Sequence, residues 1–193
     1  MSLKLAIVYG SVRSERVGIR IVRFLERAFA ARGHEVTTVD PLEYKLPLMD
    51  RMYKEYPAGG APKELDSLAA VWLHTDAIVV VSGEYNHSVP PALSNLLDYF
   101  LEQFYWRPSA IVSYSAGPFG GVRAAMQLRA MLCELGMPSI PTTMPVSKVK
   151  TAFSEDGTPT DPVGTERRFT RFALELEWYA GALKAHRSQG VPY

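Results

Sequence analysis

Three short stretches set polar, aromatic and glycine residues directly after apolar runs: YGSVRSERVG at 9–18, SGEYNHSVPP at 82–91 and YSAGPFGGVR at 114–123. In the first, Gly10 lets the chain turn sharply, Ser11 and Ser14 offer hydroxyls, and Arg13 and Arg16 offer cationic forks. A helix opening near Val17 and Gly18 points free amides at the same place. Such donors suit a phosphate. The stretch lacks the Gly-Lys-Ser/Thr of a triphosphate loop and the spaced glycines of a dinucleotide fingerprint, so a terminal monophosphate fits it better. Either serine could equally cap the helix, and this loop alone does not choose between the two roles.

The other two stretches add what a phosphate lacks. Ser115, Ala116, Gly117, Gly120 and Gly121 form a small-residue platform that lets backbone amides approach a flat ligand. Tyr85 can lie against a planar ring, and Asn86 can donate to and accept from a heterocycle edge, with Glu84 beside them. A phosphate cradle, a platform and an aromatic, amide-bearing wall match the parts of flavin mononucleotide (FMN).

These stretches need strands and helices to bring them together. Leu3 to Tyr9, Ala77 to Ser82 and Ser109 to Tyr114 are continuous apolar runs of buried-strand character; Glu35 to Val39 reads as a short strand and Ser139 to Val146 contains a weak fifth. Helical spacing predicts helices over 17–31, 63–74, 121–135 and 165–186, and another opened by Pro90 and Pro91 and running to about Tyr105. Residues 41–62, rich in proline and glycine, read as a surface excursion that shapes a site or an interface. Strands each followed by a helix imply a doubly wound α/β fold with a parallel sheet, one domain over 1–193. Its ligands are expected beyond the carboxyl ends of the strands, where the three stretches lie.

Composition narrows the partners. The chain has 193 residues, 47% hydrophobic and 21% charged, with a net charge of +1, which argues against nucleic acid as a partner. One cysteine, Cys133, excludes an internal disulfide, and four histidines without ligand spacing give no metal site. The N-terminus reaches Gly10 and Arg13 too soon for a signal peptide, and no run approaches the roughly 20 apolar residues that span a bilayer. A cytoplasmic setting is expected.

The chain resembles the NADPH-dependent FMN reductase family of flavodoxin-like proteins, which includes quinone, azo-dye and chromate reductases. The resemblance is carried by GSVR at 10–13, EYNHSVP at 84–90 with LSNLLD at 93–98, and SAGPFGGVRA at 115–124. It implies a flavodoxin-like α/β/α sandwich with a five-stranded parallel sheet in the order 2-1-3-4-5. It also implies that Ser11 and Arg13 hold the FMN phosphate, that Glu84, Tyr85 and Asn86 line the ring, and that Ser115, Gly117, Gly120 and Gly121 follow its edge. Homodimers or homotetramers through the 91–106 helix are implied as well, and the dense aromatics Tyr99, Phe100, Phe104, Tyr105 and Trp106 suggest a covered surface there. Against the family pattern, Arg16 replaces a small hydroxyl residue and is expected to add a second phosphate anchor. Gly83 stands where proline is common and Ser94 where lysine is common.

The function expected is NAD(P)H-dependent reduction of a quinone or related acceptor (azo, nitro, chromate) through FMN, in a ping-pong cycle. Hydride transfer needs stacking more than an acid or base, so no catalytic side chain is singled out. The alternatives are a flavodoxin-type electron carrier and a flavin-free nucleotide-binding module. Cys133, with Met126, Leu132 and Leu135, is expected in the core, His87 to face solvent or bond a carbonyl, and His34, His74 and His186 to serve only at helix ends and turns.

Overall fold

A computed structural model describes residues 2–193. Its strands are β1 (Lys4–Tyr9), β2 (Glu35–Val39), β3 (Ala77–Gly83), β4 (Ser109–Tyr114) and β5 (Met144–Val146). The helices are α1 (Ile19–Ala31), α2 (Pro41–Tyr44), α3 (Lys63–His74), α4 (Pro91–Asp98), α5 (Val122–Glu134), α6 (Val149–Ala152) and α7 (Pro162–Arg187). All strand pairings are parallel and the order is β2-β1-β3-β4-β5, as the resemblance implied.

The sheet buries both faces, which is why its central strands read as unbroken apolar runs. Leu5, Ile7, Tyr9, Val79, Val81 and Val112 meet Ile21, Leu25 and Phe29 of α1 and Phe169, Phe172 and Leu176 of α7. On the other face Ala6, Val8, Ile78, Val80 and Ile111 meet Leu68 and Trp72 of α3, Leu93 and Leu97 of α4, and Leu128 and Leu132 of α5. Gly10 fits because Leu93 lies within 3.0 Å of where a Cβ would stand, and its N–H continues the ladder to the Val81 carbonyl at 3.0 Å.

Several expectations are corrected. The helix after Pro90 ends at Asp98, and Glu102–Phe104 is a separate 3-10 turn. Tyr99, Phe100 and Phe104 are fully buried, the two phenylalanines against Trp72, so they form core and leave no covered surface to explain. Tyr105 and Trp106 are half-buried and pack on Tyr193. Cys133 is exposed, and Met126 is 56% exposed, because both sit on the outer face of α5. His34 is buried and does more than end a helix: its Nδ1 accepts the Leu3 N–H and its Nε2 lies 2.8 Å from Glu177 Oε1. His74 Nδ1 bonds the Ala70 carbonyl within its own helix end, and the His87 carbonyl accepts from Gln127.

At the opposite end of the sheet from the three stretches, Asp76 ties α7 down. Its Oδ2 accepts the Lys4 N–H at 2.9 Å and Lys184 Nζ at 2.7 Å, and Arg187 approaches Oδ1 at 3.4 Å. Burial lowers the Arg187 pKa from its ordinary value, so losing the carboxylate would leave a desolvated cation. Asp76→Ala is expected to lower stability by about 2 kcal/mol, less than for a fully buried pair because Lys184 can return to solvent. A denaturant midpoint equal to wild type would refute this.

Candidate active site

The three stretches meet at the carboxyl edge of β1, β3 and β4, where the strand order switches direction. One cleft there is lined by Ser11, Arg13, Glu15, Arg16 and Val17 from the first loop, Gly83, Glu84 and Tyr85 from the second, and Tyr114, Ser115 and Ala116 from the third. Val149, at the start of α6, completes the rim; this short helix has no strong sequence signal.

In the first loop, Ser11 is only 2% exposed and its Oγ accepts the Arg13 N–H at 3.4 Å, while Arg13 and Ser14 are exposed. Neither serine caps α1, whose N-cap is Gly18 with no side-chain bond. Among the described residues, the N–H groups of Val12, Ser14 and Glu15 find no acceptor in the protein. They are free for an anion or solvent. Arg16 is already committed: its Nη1 pairs with Asp40 Oδ1 at 2.5 Å and its guanidinium lies 5.4 Å from the Tyr9 ring. It braces the loop against β2 and lines the cleft with its remaining surface, a use the sequence does not reveal because Asp40 lies 24 residues away.

The second loop is a two-residue turn. Tyr85 N–H donates to the Ser88 carbonyl at 3.0 Å and Ser88 N–H returns to Tyr85 at 2.8 Å, so Asn86 and His87 sit at the tip with φ of 50° and 65°. Asparagine tolerates that left-handed backbone better than most residues, which gives Asn86 a conformational role besides any contact with a ligand. Both tip side chains are exposed, and Tyr85 is half-buried on the cleft wall.

Glu84 borders the cleft, but its carboxylate is taken up by the start of α5. Its Oε2 accepts the N–H groups of Arg123 at 3.0 Å and Ala124 at 3.2 Å, and Arg123 Nη1 is 3.6 Å from Oε1. Helix α5 starts at Gly121, which has no side chain to cap it, so a carboxylate from the neighbouring loop satisfies its first turn. That missing cap is the one sequence signal that could have found the contact.

In the third loop, glycine is required mostly by the fold. Gly120 and Gly121 have φ of 65° and 76°; a Cβ on Gly121 would lie 2.8 Å from the Tyr114 carbonyl oxygen, and one on Gly120 would lie 3.0 Å from Pro145. Nothing stands within 4 Å of the position a Gly117 Cβ would take. Ser115 Oγ donates to the Gly117 carbonyl at 3.0 Å and accepts the Gly120 N–H at 3.0 Å, fixing the loop's curve. Ala116 is exposed at its rim, and Phe119, 59% exposed, lies 4.6 Å below the Arg123 guanidinium.

Residues 3–151, the part of the chain that carries all three loops, match the NADPH-dependent FMN reductase family. The chain belongs to that family. Among curated relatives of this oxidoreductase, an NAD(P)H-dependent FMN reductase of Saccharomyces cerevisiae is 29% identical over 147 residues, 70% of this chain and 76% of that protein. A quinone reductase of Escherichia coli K12 is 31% identical over 141 residues, 70% of this chain and 73% of that one. Among solved structures, the flavoenzyme NAD(P)H:(acceptor) oxidoreductase FerB of Paracoccus denitrificans superposes with a TM-score of 0.75 at 21% identity, covering 92% of this chain and 97% of its own. A flavodoxin of Pseudomonas aeruginosa superposes with a TM-score of 0.57 at 17% identity, covering 91% and 99%. These two show the shared flavodoxin-like fold.

No helix among the described residues is long and apolar enough to cross a membrane, and they contain no cluster of three or more His, Cys, Asp or Glu that could hold a metal ion.

Proposed function

We propose that this reductase, one flavodoxin-like domain over 1–193, holds FMN in the cleft and uses it to pass electrons from NAD(P)H to a quinone. The observation that carries the reading is the run of unpartnered amides beside Arg13 and Ser14, on the same cleft as Tyr85 and the Ser115–Gly117 edge. The residues present fit the group. Those amides, Arg13 and the Ser14 hydroxyl would meet a dianionic phosphate, with Ser11 below them. Tyr85 and Asn86 would flank the ring on one side, and Ser115, Ala116 and Gly117 would border its edge. Arg16, Gly18, Glu84, Gly120 and Gly121 would act on the cofactor through the shape of the loops they hold.

Bound FMN supplies a two-electron acceptor at the nicotinamide and a donor at the quinone, so NAD(P)H, a quinone and a proton become NAD(P)+ and a hydroquinone. The protein's task is to orient the two substrates in turn over one open face and to keep the phosphate end fixed. Alternating occupancy of one site by donor and acceptor would give a ping-pong order. The relatives named as quinone reductases support the choice of acceptor over azo, nitro or chromate compounds.

The apolar patch beside the cleft supports self-association. Val12, Leu42, Leu48 and Met49 are exposed next to Pro91 and Ala92 of α4, and the 41–62 excursion is strapped there by Asn95, which accepts the Met49 N–H and donates to the Pro47 carbonyl. A second copy seated on this patch would border the first loop. The purified protein is expected to be yellow, to bleach with NADPH or NADH without oxygen, to regain colour with a quinone, and to sediment as an oligomer at micromolar concentration. Bleaching without steady turnover would indicate an electron carrier, no FMN uptake a flavin-free module, and a monomer would remove the subunit assignment alone.

A further inference from the structure

Tyr114 lies at the floor of the cleft, backed by the fully buried Tyr9, and neither the phosphate cradle nor the ring wall accounts for this pair of phenols. Tyr114 is the last residue of β4, and its ring runs beneath the junction of the first two loops. Its slot is set by two glycines. A Cβ on Gly18 would stand 2.3 Å from Tyr114 Cζ and 2.5 Å from its Oη, and a Cβ on Gly83 would stand 3.1 Å from Cζ and 3.2 Å from Oη. A side chain at 18 would overlap the ring outright and one at 83 would press closely on it, so Gly18, Gly83 and Tyr114 form one unit. Gly83, where the family favours proline, therefore has a packing reason as well as a backbone one.

The hydroxyl end is equally specific. Tyr9 Oη donates to the Arg16 carbonyl at 3.2 Å, which leaves Tyr9 as the acceptor facing Tyr114 Oη, 3.5 Å away. Burial pushes both phenols above their ordinary pKa; their shared hydrogen bond partly offsets this for Tyr9 but raises Tyr114 further, and the nearby Ser11 hydroxyl opposes the rise in both. Each is protonated at neutral pH. With its proton turned toward Tyr9, Tyr114 Oη presents lone pairs to the cleft between the phosphate cradle and the ring wall, and it can rotate to donate instead. A group crossing that span should carry hydroxyls, which both donate and accept.

We infer that Tyr114, slotted between Gly18 and Gly83, is a positioning residue whose hydroxyl hydrogen-bonds the polyol chain of a bound flavin. The inference rests on the FMN reading above. In that reading the cradle grips one end of the cofactor and Tyr85 the other, and Tyr114 fixes the chain between them, which sets how far the ring projects toward its substrates.

The test is Tyr114→Phe, which keeps the ring that fills the slot and removes only the hydroxyl. Flavin-free wild type and variant are titrated with FMN and with riboflavin by fluorescence quenching, and their unliganded melting temperatures are compared. The FMN dissociation constant is expected to rise about tenfold, the worth of one hydrogen bond, with the same factor for riboflavin. Unchanged or tighter FMN binding overturns the inference, and so does a loss confined to FMN, which would place the hydroxyl at the phosphate. A variant whose melting temperature falls steeply, with weaker binding explained by unfolding, also overturns it. Wild-type protein that binds neither flavin would instead refute the functional reading itself.

Discussion

Glu84→Ala is expected to loosen the cleft more than any other change that leaves the backbone free of clashes. The carboxylate accepts two N–H groups at the start of α5, and that helix has no cap of its own at Gly121. Removing it takes away an N-cap equivalent, worth about 1 kcal/mol. The donors left short of partners are partly buried, so the loss should lie at the upper end for a cap, about 2 kcal/mol. The Arg123 ion pair adds little, since Arg123 is 40% exposed.

The functional effect follows from where the tie runs. Glu84 joins the loop that carries Tyr85 to the helix that follows the Ser115–Gly121 loop, so its loss frees two walls of one cleft to move apart. FMN affinity should fall by at least about tenfold, the equivalent of 1.4 kcal/mol. Glu84→Gln keeps an oxygen in place but loses the charge at the helix start, and should cost only about 1 kcal/mol. Denaturant unfolding and flavin titration of both variants decide the matter. If Glu84→Ala unfolds like wild type, or is destabilised while binding FMN equally well, the brace does not shape the cleft.

What the sequence showed, and what it hid, divides by distance along the chain. The central strands and α3 were legible because a strand buried on both faces is a continuous apolar run, and Lys63–His74 has clear helical spacing. The break after Asp98 was not legible. Leu97, Phe100 and Phe104 recur at intervals of three and four across it, so the 3-10 turn at Glu102–Phe104 keeps the helical rhythm while the helix itself has ended. Strand β5 is three residues long with Pro145 at its centre, too short and too irregular for a periodic signal.

In the cleft, residue types pointed to three loops that the fold brings together but not to each residue's own partner. Arg16 and Glu84 read as ligand contacts because they are charged and sit in those loops. The structure gives one to Asp40 and the other to the amides of α5, both remote in sequence. Tyr114 carries no signal of its own in the sequence, because a tyrosine ending a strand is ordinary. Only the two glycines beside its ring show how much room the fold sets aside for it.

The glycines of the third loop yield the sharpest contrast in expected outcome. Read from sequence, Gly117, Gly120 and Gly121 all serve close approach to a flat ligand. In the structure, Gly121 combines a φ of 76° with Tyr114 backbone atoms 2.8 Å and 2.9 Å from the position of a Cβ. An alanine there would pay about 1–2 kcal/mol for the left-handed backbone. It would also meet backbone atoms, which no rotamer change can move aside, so Gly121→Ala should cost about 4 kcal/mol in all, at the diagnostic end of single substitutions. Because the strained atoms belong to the end of β4, the Tyr114 ring would shift with them and flavin binding would fail alongside stability. Gly117 has open space and no left-handed φ, so Gly117→Ala should change stability by under about 0.5 kcal/mol. If that methyl nevertheless weakens FMN binding, Gly117 is the glycine that the ligand approaches and Gly121 the one that the fold requires. If Gly121→Ala unfolds at the wild-type denaturant concentration, the loop does not make this left-handed turn and the division between the two glycines falls.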